Sequence, residues 1–448
     1  MTPLAQIRFG YGPAAGNTGA EAFAPGELMA QLTAPDPESD RFARPDGATR
    51  QALMDRHRAE VRRRRKTGDM SDQDENAPGR QLKTIFAEDQ LAFVLRPVAA
   101  RNGFVERLAN LWANRLTVGV VGNAGLLIEP FRTEVARAHL AGRFEDMLRA
   151  SLWHPAMQVY LDQKRSIGPN SSLGLRKGLG LNENLAREFL ELHSMGTGYT
   201  QADVTELARL LAGMQPDANG PGLNTAAVEP GAKTILGQRF GDDDPVAEID
   251  RLVSVVAARP ETALSVARLL ARHFISDDPP ADLVEALTQA YLREGGDLPA
   301  LYRVLLDHPA AQDPVLAKLR SPQEYAAACL RALGLTGRET GLPGLHGKQG
   351  FRLPEALMRM GQPIFRPRGP DGWPEMAEDW LTPPMMAARI DFAVDAARAA
   401  AETKDPLAVT DLVLGDLASP ALRFAVQGAE QRWEGVAVLL GSPEFMRR

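Results

Sequence analysis

Between Asp203 and Gly213 the chain reads DVTELARLLAG, and its apolar residues Val204, Leu207, Ala208 and Leu211 recur at i, i+3, i+4 and i+7. That spacing lays one hydrophobic stripe along an α-helix, because a turn takes about 3.6 residues. The pattern returns in EIDRLVSVVAAR, TALSVARLLARHFI, ADLVEALTQAYLRE and DLPALYRVLLDH, each bounded by proline or glycine. Such helices bury their stripes only by packing on one another. Long alternating β-branched runs, which a sheet would need, are missing. The sequence therefore predicts an all-α fold, a large multi-helix array. Thr200 and Asp203 suit a capping box at the start of the first of these helices.

Three regions are expected. Residues 1–80 form an N-terminal arm and charged connector around a short helix, GELMAQL. In this region the basic run RHRAEVRRRRK (Arg56 to Lys66) gives way to the acidic GDMSDQDEN, so local charges cancel. Residues 81–235 carry a helical region with the motif described below, and residues 236–448 form a C-terminal helical region. FEDMLRASLWHPAMQ and LPALYRVLLDHPAAQ echo each other, each with a His-Pro step (His154, His308), and VLLGSPEF is a weaker third copy. Two readings stay open: an internal helical repeat, or a convenient helix stop, since proline crowds the residue before it out of helical geometry.

At 448 residues, 44% hydrophobic and 24% charged, the chain has the balance of a globular protein rather than a disordered one. A net charge of −6 gives no reason to expect nucleic acid as a partner. The single cysteine, Cys329, excludes an intrachain disulfide and a Cys-rich metal site, and its apolar helical neighbours read as core. No apolar run approaches the roughly 20 residues that span a bilayer, and the N-terminus lacks a secretory signal pattern. Taken alone, the chain reads as cytoplasmic, with export alongside a partner left open.

The chemistry-bearing stretch is LNENLAREFLELH, Leu181 to His193. On a helical wheel Leu181, Leu185, Phe189 and Leu192 share one side with His193, while Asn184, Arg187, Glu188 and Glu191 gather on the other. The spacing matches neither the Glu-x-x-His of di-iron bundles nor the His-Glu-x-x-His of zincins, so no metal and no cofactor is assigned. What remains is a carboxylate pair one turn apart beside an arginine. It suits acid/base work, with one carboxyl raised by its neighbour, or it is a solvated face with an Arg187–Glu191 ion pair. Upstream, the glycine-rich SIGPNSSLGLRKGLG carries Arg176 and Lys177 toward the helix start, as a weak anion site or a connector. Candidate catalytic residues are Glu188, Glu191, Arg187 and Asn184. Candidate substrate-binding residues are Lys177, Arg176, Asp162, Asn114 and Tyr199. The acidic GDDDP reads as a turn and helix cap. Trp373 and Trp380 either line a groove or tack a Pro-bounded segment to the core.

HPAMQVYLD, GPNSSLGLRKGLGLNENLAREFLELHSMG, GYTQADVTELARLLAG, FISDDPPADLVEAL and GQPIFRPRGPDGWP together resemble the bacterial "domain of unknown function 1800" family, in order and from about Arg8 onward. The resemblance implies a large helical protein without an established activity and makes the Asn182 to His193 helix its central motif, with Tyr160 and Asp162 also matching. It further implies an alkaline-phosphatase/sulfatase-like protein encoded nearby as partner, by association only. The chain departs from the family pattern at Arg115, where a histidine is usual after Asn114, and at Arg259, where a histidine precedes proline. If family histidines bind a metal, part of that site is lost here. The reading adopted is a scaffold or accessory subunit acting with that partner; the alternative is a hydrolase of anionic or polysaccharide substrates using the Glu pair flanked by Arg187.

Overall fold

The computed structural model describes residues 3–16, 24–67, 77–215, 217, 220–335, 353–400 and 404–448. The acidic part of the expected connector, Gly68 to Asn76, lies outside them. Helix makes up 64% of the structure, and the all-α expectation holds. The helix Gln201–Leu211 buries Val204, Leu207, Ala208, Leu210 and Leu211, the stripe read from its sequence, and Thr200 and Asp203 form the reciprocal capping box. Asp244 of the acidic turn caps the helix Pro245–Ala257 by accepting from the Ala247 amide.

One feature escapes the helical pattern. Lys233–Ile235 and Gln238–Phe240 pair as an antiparallel hairpin in the register Lys233 to Phe240. Its two-residue turn places Leu236 (φ 51°) and Gly237 (φ 76°) in the left-handed region, which matches the twist of the paired strands. Three-residue strands are too short to show alternation.

The hydrophobic core is continuous from Ile7 to Met446. Phe9 is fully buried and packs against Phe104 at 6.0 Å and Phe274 at 5.4 Å. Arg8 donates to the carbonyls of Ala311 (2.8 Å) and Val315 (2.7 Å). The start of the N-terminal segment is therefore built into the core, not held out as an arm. Trp112 joins the halves by donating from its indole to the Tyr302 hydroxyl at 2.8 Å. The expected boundaries fall inside the helix Ala77–Ala99 and inside the hairpin.

The two His-Pro steps share a local device. The helix Phe144–Trp153 stops at His154, whose ring then accepts from the Ala156 amide and caps the next helix, Pro155–Tyr160. His308 does the same for Ala310. In the third copy Ser442 takes that place. The likeness thus lies in how one helix hands over to the next. Cys329 is fully buried, and burial pushes its thiol up to about 12.

Candidate functional site

The motif begins as the α-helix Asn184–Glu188 and continues as a π-turn, Phe189–His193. A π-turn holds an extra residue per turn, and such turns concentrate at functional sites. The inner side is nonetheless the one the wheel predicts: Leu185, Ala186, Phe189, Leu190 and His193 are buried, Asn184 and Glu191 are exposed, and Arg187 and Glu188 lie half-buried.

Arg187 does not pair with Glu191. Its guanidinium reaches back one turn to Glu183 (3.1 Å) and across to the side-chain carbonyl of Gln201 (3.0 Å). Glu183 in turn accepts from Thr205 (2.7 Å) and Gln201 (2.9 Å), and these hydrogen bonds, the one from Thr205 foremost, lower its pKa. At this exposure the ion pair contributes under about 1 kcal/mol. Its effect is to occupy the strip's cation.

The two glutamates meet other partners. Burial raises the Glu188 carboxyl, with Glu191 and Asp371 pushing the same way and Arg187 opposing. Burial also raises the Tyr160 hydroxyl, reinforced by Asp371 and Glu188. Burial raises the Tyr199 hydroxyl as well, with Glu191 pushing the same way. A patch of three carboxylates and two phenols therefore forms where residues 160, 188–199 and 371 converge. Asp371 was not anticipated; its PDGW segment carried the only available signal.

Asn114 explains how Asp371 arrives. Its amide donates to the Trp373 carbonyl (2.9 Å) and its carbonyl accepts from the Trp373 amide (2.7 Å), so both ends are spent on the loop. Gly372 makes that clamp possible. Its φ is +78°, and a Cβ there would lie 2.5 Å from the Thr117 hydroxyl, 2.6 Å from the Asn114 backbone carbonyl and 2.7 Å from its side-chain carbonyl. Gly372→Ala is expected to destabilise by about 2–3 kcal/mol, from left-handed strain plus overlap, and to bring Glu188 back toward the ordinary carboxylate range. Chemical denaturation and a carboxyl NMR titration check this; wild-type stability would refute the clamp. Trp380 is buried and bonds the Pro374 carbonyl, with the Trp373 ring 6.3 Å away, so these aromatics fasten the same segment.

The other candidate residues stand apart. Asp162 adopts a left-handed φ of 57° and pairs with Arg165 at 3.0 Å. Arg176 and Lys177 are exposed at the end of the helix Ser172–Lys177, closed by left-handed Gly178. The glycine-rich stretch thus contains a helix of its own. At the motif's start the Asn184 amide already donates to the Asn182 side chain (3.1 Å).

His193 is 1% exposed, its Nε2 has no hydrogen-bond partner among the described residues, and burial with Arg115 nearby depresses its pKa to about 3. Arg115 donates to the Ser194 carbonyl (3.1 Å) and the Ser265 hydroxyl (2.5 Å). A fixed guanidinium beside the motif histidine opposes any metal cation there. Arg259, the second departure, pairs with Glu261 at 3.2 Å. Among the described residues no group of three or more His, Cys, Asp or Glu side chains is arranged to hold a metal ion. Nor, among them, is any helix long and apolar enough to cross a membrane.

None of the curated proteins or solved structures compared matches this chain. A family model described as "Protein of unknown function (DUF1800)" matches residues 5–447. With its motif helix, its Tyr160 segment and its Asp371 loop all inside that span, the chain belongs to the DUF1800 family.

Proposed function

We propose that the protein is a non-catalytic accessory subunit whose patch of Glu188, Glu191, Asp371, Tyr160 and Tyr199 docks a basic surface of a protein partner, the phosphatase/sulfatase-like neighbour being the first to test. One observation carries this: three carboxylates share the patch while its adjacent cation, Arg187, is already held by Glu183 and Gln201. Unspent negative charge of this kind steers and selects a positively charged partner. Phenols add contact area with little rotamer entropy to lose.

Co-expression with that neighbour should yield a complex whose affinity falls as salt rises. Glu188→Gln combined with Glu191→Gln should weaken it at least tenfold with the melting temperature unchanged. A variant that binds like the wild type, or no complex at all, removes the reading. The raised Glu188 carboxyl beside Glu191 favours a second reading, acid/base hydrolysis. The surplus of carboxylates repels anionic substrates, so a neutral polysaccharide is the substrate class that fits. In that case Glu188→Gln alone abolishes turnover while any complex persists.

A further inference from the structure

A groove of about 660 Å³ lies away from the motif strip, lined from the start of the helix Gly47–Thr67, the π-turn Arg132–Ala136, the helix Phe144–Trp153 and the helix Pro245–Ala257. Its volume is that of an organic-ligand site. None of the motif-strip residues lines it.

On one side, Glu134 accepts from the Gly47 amide (2.8 Å) and faces His154 Nε2 (3.3 Å). His154 Nδ1 accepts from the Ala156 amide (3.1 Å), so it carries a lone pair, and the ring's proton sits on Nε2 toward Glu134. The ring is uncharged in this arrangement, and the charge of Glu134 meets no counter-ion there. Phe131 holds the ring edge-on at 5.2 Å. On the other side, the Trp153 indole donates to Asp250 (2.9 Å). Arg149 is divided among Glu145 (2.6 Å), Asp146 (3.2 Å) and Asp250 (3.6 Å).

Acceptors dominate the hydrogen-bonding capacity left over, although the Gln51 amide also lines the groove. The donors of Trp153, His154 and Arg149 are engaged. Glu134, Asp146 and Asp250 are each between a third and a half exposed and retain free lone pairs. His139 also lines the groove, with its Nδ1 donating to the Val135 carbonyl (2.8 Å). Leu127, Ala150 and Pro155 supply apolar lining between the polar walls. A ligand matching this must donate hydrogen bonds, carry positive charge and present a hydrocarbon body.

We propose that this groove binds a small organic cation bearing ammonium groups, held by Glu134, Asp146 and Asp250, with its methylenes on Leu127 and Ala150. The test is calorimetric titration of the full chain with 1,4-diaminobutane and, separately, with the neutral 1,4-butanediol. The diamine should bind saturably at one site per chain and at least tenfold more tightly than the diol. Asp250→Asn and Glu134→Gln should each weaken it about tenfold or more, and the partly exposed Asp250 allows the first change without loss of folding. Glu188→Gln with Glu191→Gln should leave diamine binding unchanged. Equal binding of diol and diamine, no saturable heat at millimolar diamine, or loss that follows the Glu188/Glu191 variant instead of Asp250 would each overturn the assignment.

Discussion

Glu324→Gln is expected to destabilise the folded chain by about 3–5 kcal/mol, the scale for removing one partner of a buried ion pair. Glu324 accepts from Arg107 (2.6 Å) and from two nitrogens of Arg448 (3.0 and 3.2 Å), and also from the Ser321 amide (3.0 Å) in a capping box. Arg107 and Arg448 are almost wholly buried. Burial works against the Glu324 charge, yet Arg107 and Arg448 outweigh it and hold the carboxyl well below the usual carboxylate range. Glutamine keeps the shape but leaves two interior guanidiniums facing a neutral group. The interaction is therefore present above about pH 4.3 and is lost as acid protonates the carboxylate. Urea midpoints of wild type and variant measure the effect. Replacing Arg107 and Glu324 together by Met and Leu should harm stability less than the two single changes added, because the charge left on Arg107 disappears with its partner, while Arg448 still loses its carboxylate. A Glu324→Gln protein within about 1 kcal/mol of wild type would mean that water or a mobile counter-ion already reaches this cluster.

This cluster also shows where a sequence stops being informative. The Val204, Leu207, Ala208, Leu211 stripe and the Thr200–Asp203 box depend on contacts within a dozen residues, and local spacing carries them whole. Glu324, Arg107 and Arg448 meet across more than a hundred residues, where no periodicity points. The same difference divides the candidate site. The polar side of the Asn184 to Glu191 stretch was legible because winding alone separates it from Leu185 and Phe189. The π-turn at Phe189–His193 was not, since its geometry is completed from outside the wheel, by Ser194 bonding the Phe189 carbonyl and Gly196 bonding the Leu190 carbonyl. Arg187 was expected to choose Glu191 at i+4. It turns to Glu183 because Gln201 and Thr205, from the next helix, hold that carboxylate in place. Asp371 was hidden for another reason: it reaches Glu188 only through the Asn114 clamp and the missing Cβ of Gly372. The acceptor-lined groove is assembled from segments spread between Gly47 and Asp250, and in the sequence His154 shows only as a helix stop.

Acid should destabilise this chain well before its carboxylates protonate, and His193 is the main reason. Its ring is buried, Nε2 lacks a partner among the described residues, and desolvation together with Arg115 keeps it unprotonated down to about pH 3, against an ordinary value of 6.5. In the unfolded chain the ring takes up its proton near the ordinary value, so between the two the unfolded state binds more protons and stability falls with pH. Each unit is worth about 1.4 kcal/mol, which gives an expected loss of roughly 4 kcal/mol by about pH 3.5. His273 adds to the slope, because burial lowers its pKa too, although Glu375 opposes that shift. His193→Leu isolates the first contribution. It removes the titrating ring while filling similar apolar space beside Phe189 and Leu190, so stability at pH 8 should stay near wild type while the decline from pH 6.5 to 4 becomes shallower. Denaturant midpoints at half-unit pH steps resolve the two curves. Parallel curves would mean that the His193 ring gains its proton in the folded chain at an ordinary pH. It would then need a counter-charge or solvent path beside Arg115, and the motif histidine would become available for chemistry instead of serving as packing.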